Sequence, residues 1–201
     1  EQAEKRGEIK PGGTIVEATS GNTGVGLAIA AALKGYKTIF VMPDKMSNEK
    51  ILLLRAYGAK VVITPTAVGP DDPRSYYEVA KKFARETPNA ILANQYLNPD
   101  NPKTHELSTG PELWEQTEGK LTDVIIGIGT GGTITGVGRY LKSKNPKIQI
   151  VGVDIEGSIL TEIWQNKGII PPGAYPKTYK VECIGEDFLP STMDIEYVDA
   201  I

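Results

Sequence analysis

The sequence is poor in the residue types that most often bridge chains or hold transition metals, with one cysteine and one histidine among 201 residues. A lone cysteine, Cys183, excludes an internal disulfide, so we expect a reducing, cytoplasmic location. A lone histidine, His105, excludes metal sites built from several imidazoles. We expect His105 to be a surface or helix-capping residue, and we expect no metal site.

Long apolar stretches and basic runs are also missing. The longest apolar stretch, residues 25–33, is too short to span a bilayer, so we expect no membrane partner. The net charge is −3 and no basic cluster occurs, so we expect no nucleic-acid partner. Hydrophobic residues make up 40% of the chain and charged residues 23%, proportions that are typical of a globular protein with a substantial core.

Strand and helix patterns alternate along the chain. Strands are predicted at residues 14–18, 37–43, 59–65, 89–96, 123–129 and 148–154, and helices at residues 24–33, 47–58, 74–86, 104–118, 133–144 and 158–165. The helix at 104–118 is expected to bend at Gly110-Pro111. The strands are continuous apolar runs, which indicates burial on both faces and hence an α/β fold with parallel sheets covered by helices. The segment "LNPDNP" interrupts the alternation and predicts a smaller lobe, 1–97, and part of a larger lobe, 98–201. The chain reads as a portion of a longer protein.

Two loops each follow a strand and begin a helix. The TSGNT loop, residues 19–23, contains more small polar residues than one helix cap needs. Its hydroxyls, with the amides of the helix start, could hold a carboxylate; a well-capped helix is the simpler alternative. The second loop lies within residues 127–138. Because ligands bind beyond the carboxyl ends of parallel strands, we expect both loops at one edge of one sheet.

The second loop supports three interpretations. Gly127, Gly129 and Gly132 match the dinucleotide fingerprint, and Asp154 follows at the distance of a ribose-binding acid. A structural turn would need no ligand at all. The threonines of the GTGGT loop, residues 129–133, instead suit a terminal phosphate with three oxygens. A carboxylate loop and a phosphate loop together suggest an amino acid attached to a phosphorylated cofactor.

Three segments resemble a known family in order and spacing: "TSGNTG", "NQYLNPDNPKTHELSTGPELW" and "GIGTGGTITGVGRYLK". They are similar to the pyridoxal-phosphate (PLP) β-family of fold type II, the group of cysteine synthase and cystathionine β-synthase. The resemblance displaces the dinucleotide interpretation and implies a two-lobed homodimer. It implies that the cofactor is bound by Asn22, Tyr96, Gly129, Thr130, Gly131, Gly132 and Thr133. It implies that the substrate carboxylate is bound by Thr19, Ser20, Gly21, Thr23 and Gln95.

The resemblance also implies a reaction, β-replacement. The α-proton of serine or O-acetylserine is removed, the β-substituent leaves, and homocysteine or sulfide adds. The segments "VDIEGSIL" and "VECIGEDFLP" are more similar to the cystathionine β-synthase branch, so we expect serine and homocysteine as substrates. Cysteine synthase activity is the alternative. Cys183 departs from the family, where we expect glycine, and we interpret it as a packed residue.

The family's Schiff-base lysine lies in a short motif upstream of the TSGNT loop. None of the lysines in this sequence has that context. We therefore expect the lysine outside residues 1–201 and assign no catalytic residue within them. A non-catalytic subunit that keeps the fold is the alternative of another class.

Overall fold

A computed structural model describes residues 1–19, 21–68, 72–177, 179–181 and 183–201. The chain divides into two compact units, Glu1–Asn94 and Gln95–Ile201. The sequence-based division after Leu97 differs from this by a few residues. In the described residues, no helix is long and apolar enough to cross a membrane.

The first unit contains a four-stranded parallel sheet in the order β3-β2-β1-β4. Its elements are α1 (Gln2–Lys5), β1 (Thr14–Ala18), α2 (Asn22–Lys34), β2 (Lys37–Pro43), α3 (Asn48–Ala56), β3 (Lys60–Thr64), α4 (Tyr76–Glu86) and β4 (Ala90–Leu92). Alternate residues of β2 are buried on opposite faces. Phe40 and Met42 cluster with Leu54 of α3, whereas Ile39 and Val41 cluster with residues of α4. Helices therefore cover both faces, as the continuous apolar strands predict.

The second unit contains a two-stranded parallel sheet, β5-β6. Its elements are α5 (Asp100–Leu107), α6 (Thr109–Gln116), β5 (Asp123–Gly127), α7 (Gly132–Lys144), β6 (Gln149–Val153), α8 (Leu160–Gln165) and a short 3-10 helix (Ile195–Tyr197). The core forms around α7, whose Ile134, Val137 and Leu141 are buried with Ile148 and Ile150. Leu113 and Trp114 pack against this core, as expected for the apolar face of their helix.

The α/β class and the parallel strands are confirmed, but the expectation of one sheet edge for both loops is wrong. The TSGNT loop follows β1 in the four-stranded sheet, and the GTGGT loop follows β5 in the other sheet. Both loops do follow the carboxyl end of a strand. Local apolar patterns predict strands but do not specify which strands pair, because pairing joins residues far apart in the sequence.

The single helix predicted at residues 104–118 is two helices, α5 and α6. They separate at Ser108, whose φ is −127° and ψ −69°. Pro111 explains the break, because it has no N–H to donate to the carbonyl four residues earlier. In the first turn of α6, where that N–H has no intrahelical acceptor, proline is tolerated.

Candidate functional site

The GTGGT loop joins β5 to the N-terminus of α7. Gly131 occupies the N-cap position in a left-handed conformation, with φ of 75°. The first N–H groups of a helix have no carbonyl partner within it, and the helix dipole gives this end positive potential. α7 has 13 residues, and its first turn includes Thr133. The loop therefore presents amide and hydroxyl donors suited to an anion.

Close packing behind the loop explains two of its glycines. A Cβ atom on Gly131 would lie 2.2 Å from Cβ of Met193, and one on Gly132 would lie 2.0 Å from Oδ1 of Asn101. No side chain fits at either position without moving these neighbours. Glycine also allows a ligand to approach the backbone closely on the open side of the loop. The structure adds a second constraint on the other side.

Two polar side chains connect the GTGGT loop to Gln95 and Tyr96. The Asn101 amide nitrogen donates to the Gln95 carbonyl at 2.9 Å and to Oγ1 of Thr130 at 3.0 Å. The Thr192 hydroxyl lies 2.6 Å from the Thr130 carbonyl and 3.1 Å from the Tyr96 carbonyl. The structure thus brings together Gln95, Tyr96 and the GTGGT loop, which the resemblance assigns to one site. Sequence reasoning missed Asn101 and Thr192.

The segment after Pro190 is anchored to α7. The Asp194 amide donates to Oγ1 of Thr135 at 2.8 Å, and Arg139 forms an ion pair with the Asp194 carboxylate at 2.9 Å. These bonds hold Met193 against Gly131. No sequence signal marks this segment as part of the site, because the residues it contacts lie about sixty positions earlier in the sequence.

His105 contacts the GTGGT loop directly. Its Nε2 lies 3.2 Å from Oγ1 of Thr133, and its Nδ1 lies 2.9 Å from Oγ1 of Thr109. The imidazole is partly buried, and burial lowers its pKa. Of the two expected roles, surface or helix-capping, the surface position is wrong, because α5 packs against α7 and brings the ring to Thr133. Both hydroxyls that the ring contacts lie in the first turn of a helix, α6 or α7.

In the TSGNT loop, Thr19 is buried and bonds to the loop itself. Its Oγ1 accepts from the amides of Gly21 at 3.1 Å and Gly24 at 3.3 Å. The helix-cap alternative is thus part of its role. A hydroxyl that accepts two bonds still has its own proton to donate. Asn22 is exposed and Thr23 partly buried at the start of α2, and Ser20 lies outside the described residues.

Lys50 of α3 lies beside the TSGNT loop. Its Nζ is 3.6 Å from the position that a Cβ on Gly21 would occupy. A cation at this position, together with the N-terminus of α2, makes the surroundings of the loop favourable for an anion. Sequence reasoning missed Lys50, because a lysine on a helix is ordinarily a solvated residue.

The two acidic loops, residues 154–158 and 185–190, are bonded to each other. Oγ of Ser158 accepts from the Glu186 amide at 3.0 Å and donates to the Glu186 carbonyl at 3.1 Å. Burial raises the pKa of the Glu186 carboxyl to about 7, against the opposing effect of a hydrogen bond with Tyr96. The Tyr96 ring also lies 5.5 Å from that of Phe188. The acidic loops therefore lie at Tyr96.

Asp154 does not have the free carboxylate that a ribose site needs. One of its oxygens accepts from the Ile155 amide at 2.9 Å, and the other accepts from the Thr161 amide and hydroxyl at 2.9 and 2.7 Å. These bonds form a hydrogen-bonded turn after β6. They remove the second feature on which the dinucleotide interpretation depends.

Cys183 is exposed, so the interpretation of a packed residue is wrong. Its φ of 68° is left-handed, a conformation in which glycine is favoured over residues with a Cβ atom. This backbone conformation explains why glycine is the residue expected here.

Comparison with known proteins agrees with this geometry. The model of the family "Pyridoxal-phosphate dependent enzyme" matches residues 1–201. The chain belongs to this family of PLP-dependent enzymes. The family resemblance, the fold and the cofactor are thereby confirmed.

Two groups of relatives within the PLP family are similar to the chain. It is 48% identical over 199 residues to cystathionine beta-synthase of Apis mellifera, covering 99% of this chain and 38% of that protein. It is 45% identical over 202 residues to cysteine synthase of Staphylococcus aureus, covering 100% of this chain and 61% of that protein. The crystal structure of cysteine synthase from Entamoeba histolytica matches with a TM-score of 0.86 and 36% identity, covering 100% of this chain and 55% of that one. The chain thus spans between about two fifths and three fifths of the length of these relatives.

The GTGGT loop fits the phosphate of PLP. The fit depends on the helix N-terminus, on the hydroxyls of Thr130 and Thr133, and on Gly131, which no residue with a Cβ replaces without a clash. The individual site assignments in both loops remain predictions.

Proposed function

We propose that the complete protein catalyses PLP-dependent β-replacement, joining L-serine to L-homocysteine to form cystathionine. When bound, PLP supplies an electron sink that stabilises negative charge at the α-carbon of the amino acid. The GTGGT loop holds the phosphate through its amides and threonine hydroxyls. The TSGNT loop holds the α-carboxylate of the substrate, with Thr19 donating its remaining proton and the N-terminus of α2 supplying positive potential.

The observation that carries the choice of substrates is the position of Glu186 at Tyr96. Homocysteine has an ammonium group that sulfide lacks. Its binding site therefore needs a negatively charged hydrogen-bond acceptor. The Glu186 carboxyl is partly buried, is bonded to Tyr96 and lies next to Asp187 in the chain. We propose that it binds the homocysteine ammonium, which would favour the ionised form of Glu186.

The chain is similar both to cystathionine beta-synthases and to cysteine synthases. Cysteine synthase activity is therefore the second candidate function. Its support is the similarity to the cysteine synthases of Staphylococcus aureus and Entamoeba histolytica. A cysteine synthase favours O-acetylserine, whose acetate leaves more easily than hydroxide, and needs no group for a second ammonium.

Steady-state kinetics of the complete protein with four substrate pairs separates these candidates. Serine or O-acetylserine is paired with homocysteine or sulfide, and kcat/KM is measured for each pair. If O-acetylserine with sulfide exceeds both homocysteine pairs by more than about tenfold, or roughly 1.4 kcal/mol, the protein is a cysteine synthase. If no pair turns over when PLP is bound, the protein is the non-catalytic subunit.

A substitution tests the role of Glu186 in the same assay. Glu186→Gln should raise KM for homocysteine several-fold and leave KM for serine unchanged, because only the acceptor loses a charged partner. Glu162→Gln is the matched control, since Glu162 is exposed on α8. An unchanged KM for homocysteine in Glu186→Gln would contradict the assignment.

We further propose that the Schiff-base lysine is none of the lysines in residues 1–201. Their sequence context supports this. So do the ion pairs of Lys103 with Glu106 at 2.9 Å and of Lys142 with Asp199 at 2.5 Å, which engage both ammonium groups with carboxylates. The homodimer and the cytoplasmic location remain predictions.

A further inference from the structure

The His105 ring lies between the hydroxyls of two threonines, each at the start of a different helix. Thr109 is the first residue of α6, and Thr133 lies in the first turn of α7. The imidazole contacts Thr109 through Nδ1 at 2.9 Å and Thr133 through Nε2 at 3.2 Å. Both ring nitrogens are therefore used, and one of the two partners belongs to the GTGGT loop.

If Thr133 binds a phosphate and the imidazole is neutral, the available protons allow only one arrangement. A phosphate oxygen without a proton can only accept, so Thr133 must donate its single hydroxyl proton to it. Oγ1 of Thr133 must then accept from His105, which places a proton on Nε2. A neutral imidazole has one N–H, so Nδ1 must accept from the hydroxyl of Thr109. Burial lowers the pKa of His105 and so favours this neutral ring.

We propose that His105 is a positioning residue for the phosphate of PLP: its Nε2–H donates to Oγ1 of Thr133 and directs the Thr133 proton to the phosphate. The proposal rests on the function proposed above, in that the GTGGT loop must be the phosphate site.

A purely structural role would predict something different. α5 and α7 pack closely, and a Cβ on Gly136 would lie 2.7 Å from Cβ of His105. If His105 only tied these helices together, either tautomer would serve. Its loss would then lower stability without a specific effect on the phosphate.

The first test is the tautomer in the complete wild-type protein. Nitrogen-15 NMR of histidine-labelled protein with PLP bound resolves which ring nitrogen carries a proton, and His105→Gln identifies the signals by their loss. We expect a proton on Nε2 and none on Nδ1. Any other protonation state at neutral pH overturns the proposal. This measurement needs no variant to retain its fold.

The second test compares the affinity of the complete apoprotein for PLP with its affinity for pyridoxal, which lacks the phosphate. In His105→Gln the amide nitrogen reaches the position of Nε2, so the PLP-to-pyridoxal affinity ratio should stay within about twofold of wild type. His105→Asn places its amide near Nδ1 instead and should lower the ratio by about fivefold or more, as for a lost hydrogen bond. The opposite order overturns the proposal.

Two controls separate failure of this proposal from failure of the phosphate site. Thr133→Ala should lower the same ratio, and an unchanged ratio would mean that the phosphate lies elsewhere. If Thr133→Ala lowers the ratio and His105→Asn does not, only the role of His105 is wrong. Thr117→Val is the matched control for a lost threonine hydroxyl, because the Thr117 hydroxyl bonds, in the described contacts, only to the carbonyls of Leu113 and Trp114 in α6. It should leave the ratio unchanged.

Discussion

At the scale of single residues, Cys183 combines an exposed side chain with a left-handed backbone. Cys183→Gly should raise the free energy of unfolding by about 1 kcal/mol or less. Removing the Cβ removes the steric strain of the left-handed backbone, but the greater conformational entropy of glycine in the unfolded chain partly offsets this gain. Cys183→Ala is the matched control and should give no gain, since it keeps the Cβ. Denaturant unfolding of the complete protein measures both. A gain in Cys183→Ala equal to that in Cys183→Gly would contradict the backbone explanation.

Glu186 predicts a pH dependence of stability. Its pKa is raised by burial from 4.5 to about 7 in the folded protein, so the folded state holds this proton more tightly than the unfolded state. Stability should therefore fall as the pH rises from about 4.5 to 7. Glu186→Gln has no proton to lose and should remove this part of the decline. Unfolding free energies at intervals across this range test the prediction, and parallel profiles for wild type and variant would contradict it.

At the scale of secondary-structure elements, the junction between the GTGGT loop and α7 is tightly constrained. Gly131→Ala should weaken PLP binding by about tenfold or more, because the new Cβ would overlap Met193 and shift the loop. Gly35→Ala is the matched control: Gly35 has nearly the same φ, 73° against 75°, but a Cβ there meets nothing within 4 Å. Fluorescence titration with PLP should show no change in the control. Equal losses in both variants would mean that φ, not Met193, is decisive.

Elements with strong local signals could be predicted from the sequence. α2 ends at Gly35, which is left-handed as a helix-terminating glycine should be. Ser47 occupies the predicted N-cap of α3, but without the side-chain cap bond. The pKa of the Glu49 carboxyl is lowered by a hydrogen bond from its own backbone amide and, second, by one from the Ser47 hydroxyl. The bend predicted at Gly110-Pro111 is a full break at Ser108, two to three residues earlier, because proline is tolerated in the first turn of the second helix.

In the candidate site, too, some residues could be predicted from the sequence and others could not. Its glycines and threonines were predicted because they are contiguous in the sequence. Asn101, Thr192 and His105 reach the GTGGT loop from segments about thirty to sixty residues away, and nothing local marks their contacts. The polar sequence neighbours of His105 predict a surface or helix-capping residue and give no sign of its contact with Thr133.

At the scale of the whole molecule, the proposal that the Schiff-base lysine lies outside residues 1–201 can be tested directly. Borohydride reduction of the complete PLP-bound protein fixes the cofactor to its lysine, and peptide mass spectrometry locates the label. We expect the label outside residues 1–201. An unreduced sample is the control. A label on any lysine numbered here would contradict the prediction.

The division into two sheets also belongs to this scale. β1 pairs with β2 and β4, the latter more than seventy residues away, while β5 pairs only with β6 in the described residues. All strands have similar apolar patterns, so the patterns predict a parallel α/β fold but not the number of sheets. The assignment of one ligand group to each loop does not depend on a shared sheet.

The most direct test of the central claim is an experimental structure of the complete protein with PLP bound. We expect the phosphate to contact the amides of residues 129–133 and the hydroxyl of Thr133, with His105 within hydrogen-bonding distance of that hydroxyl. A phosphate bound anywhere else, or a Thr133 hydroxyl turned away from it, would contradict the account.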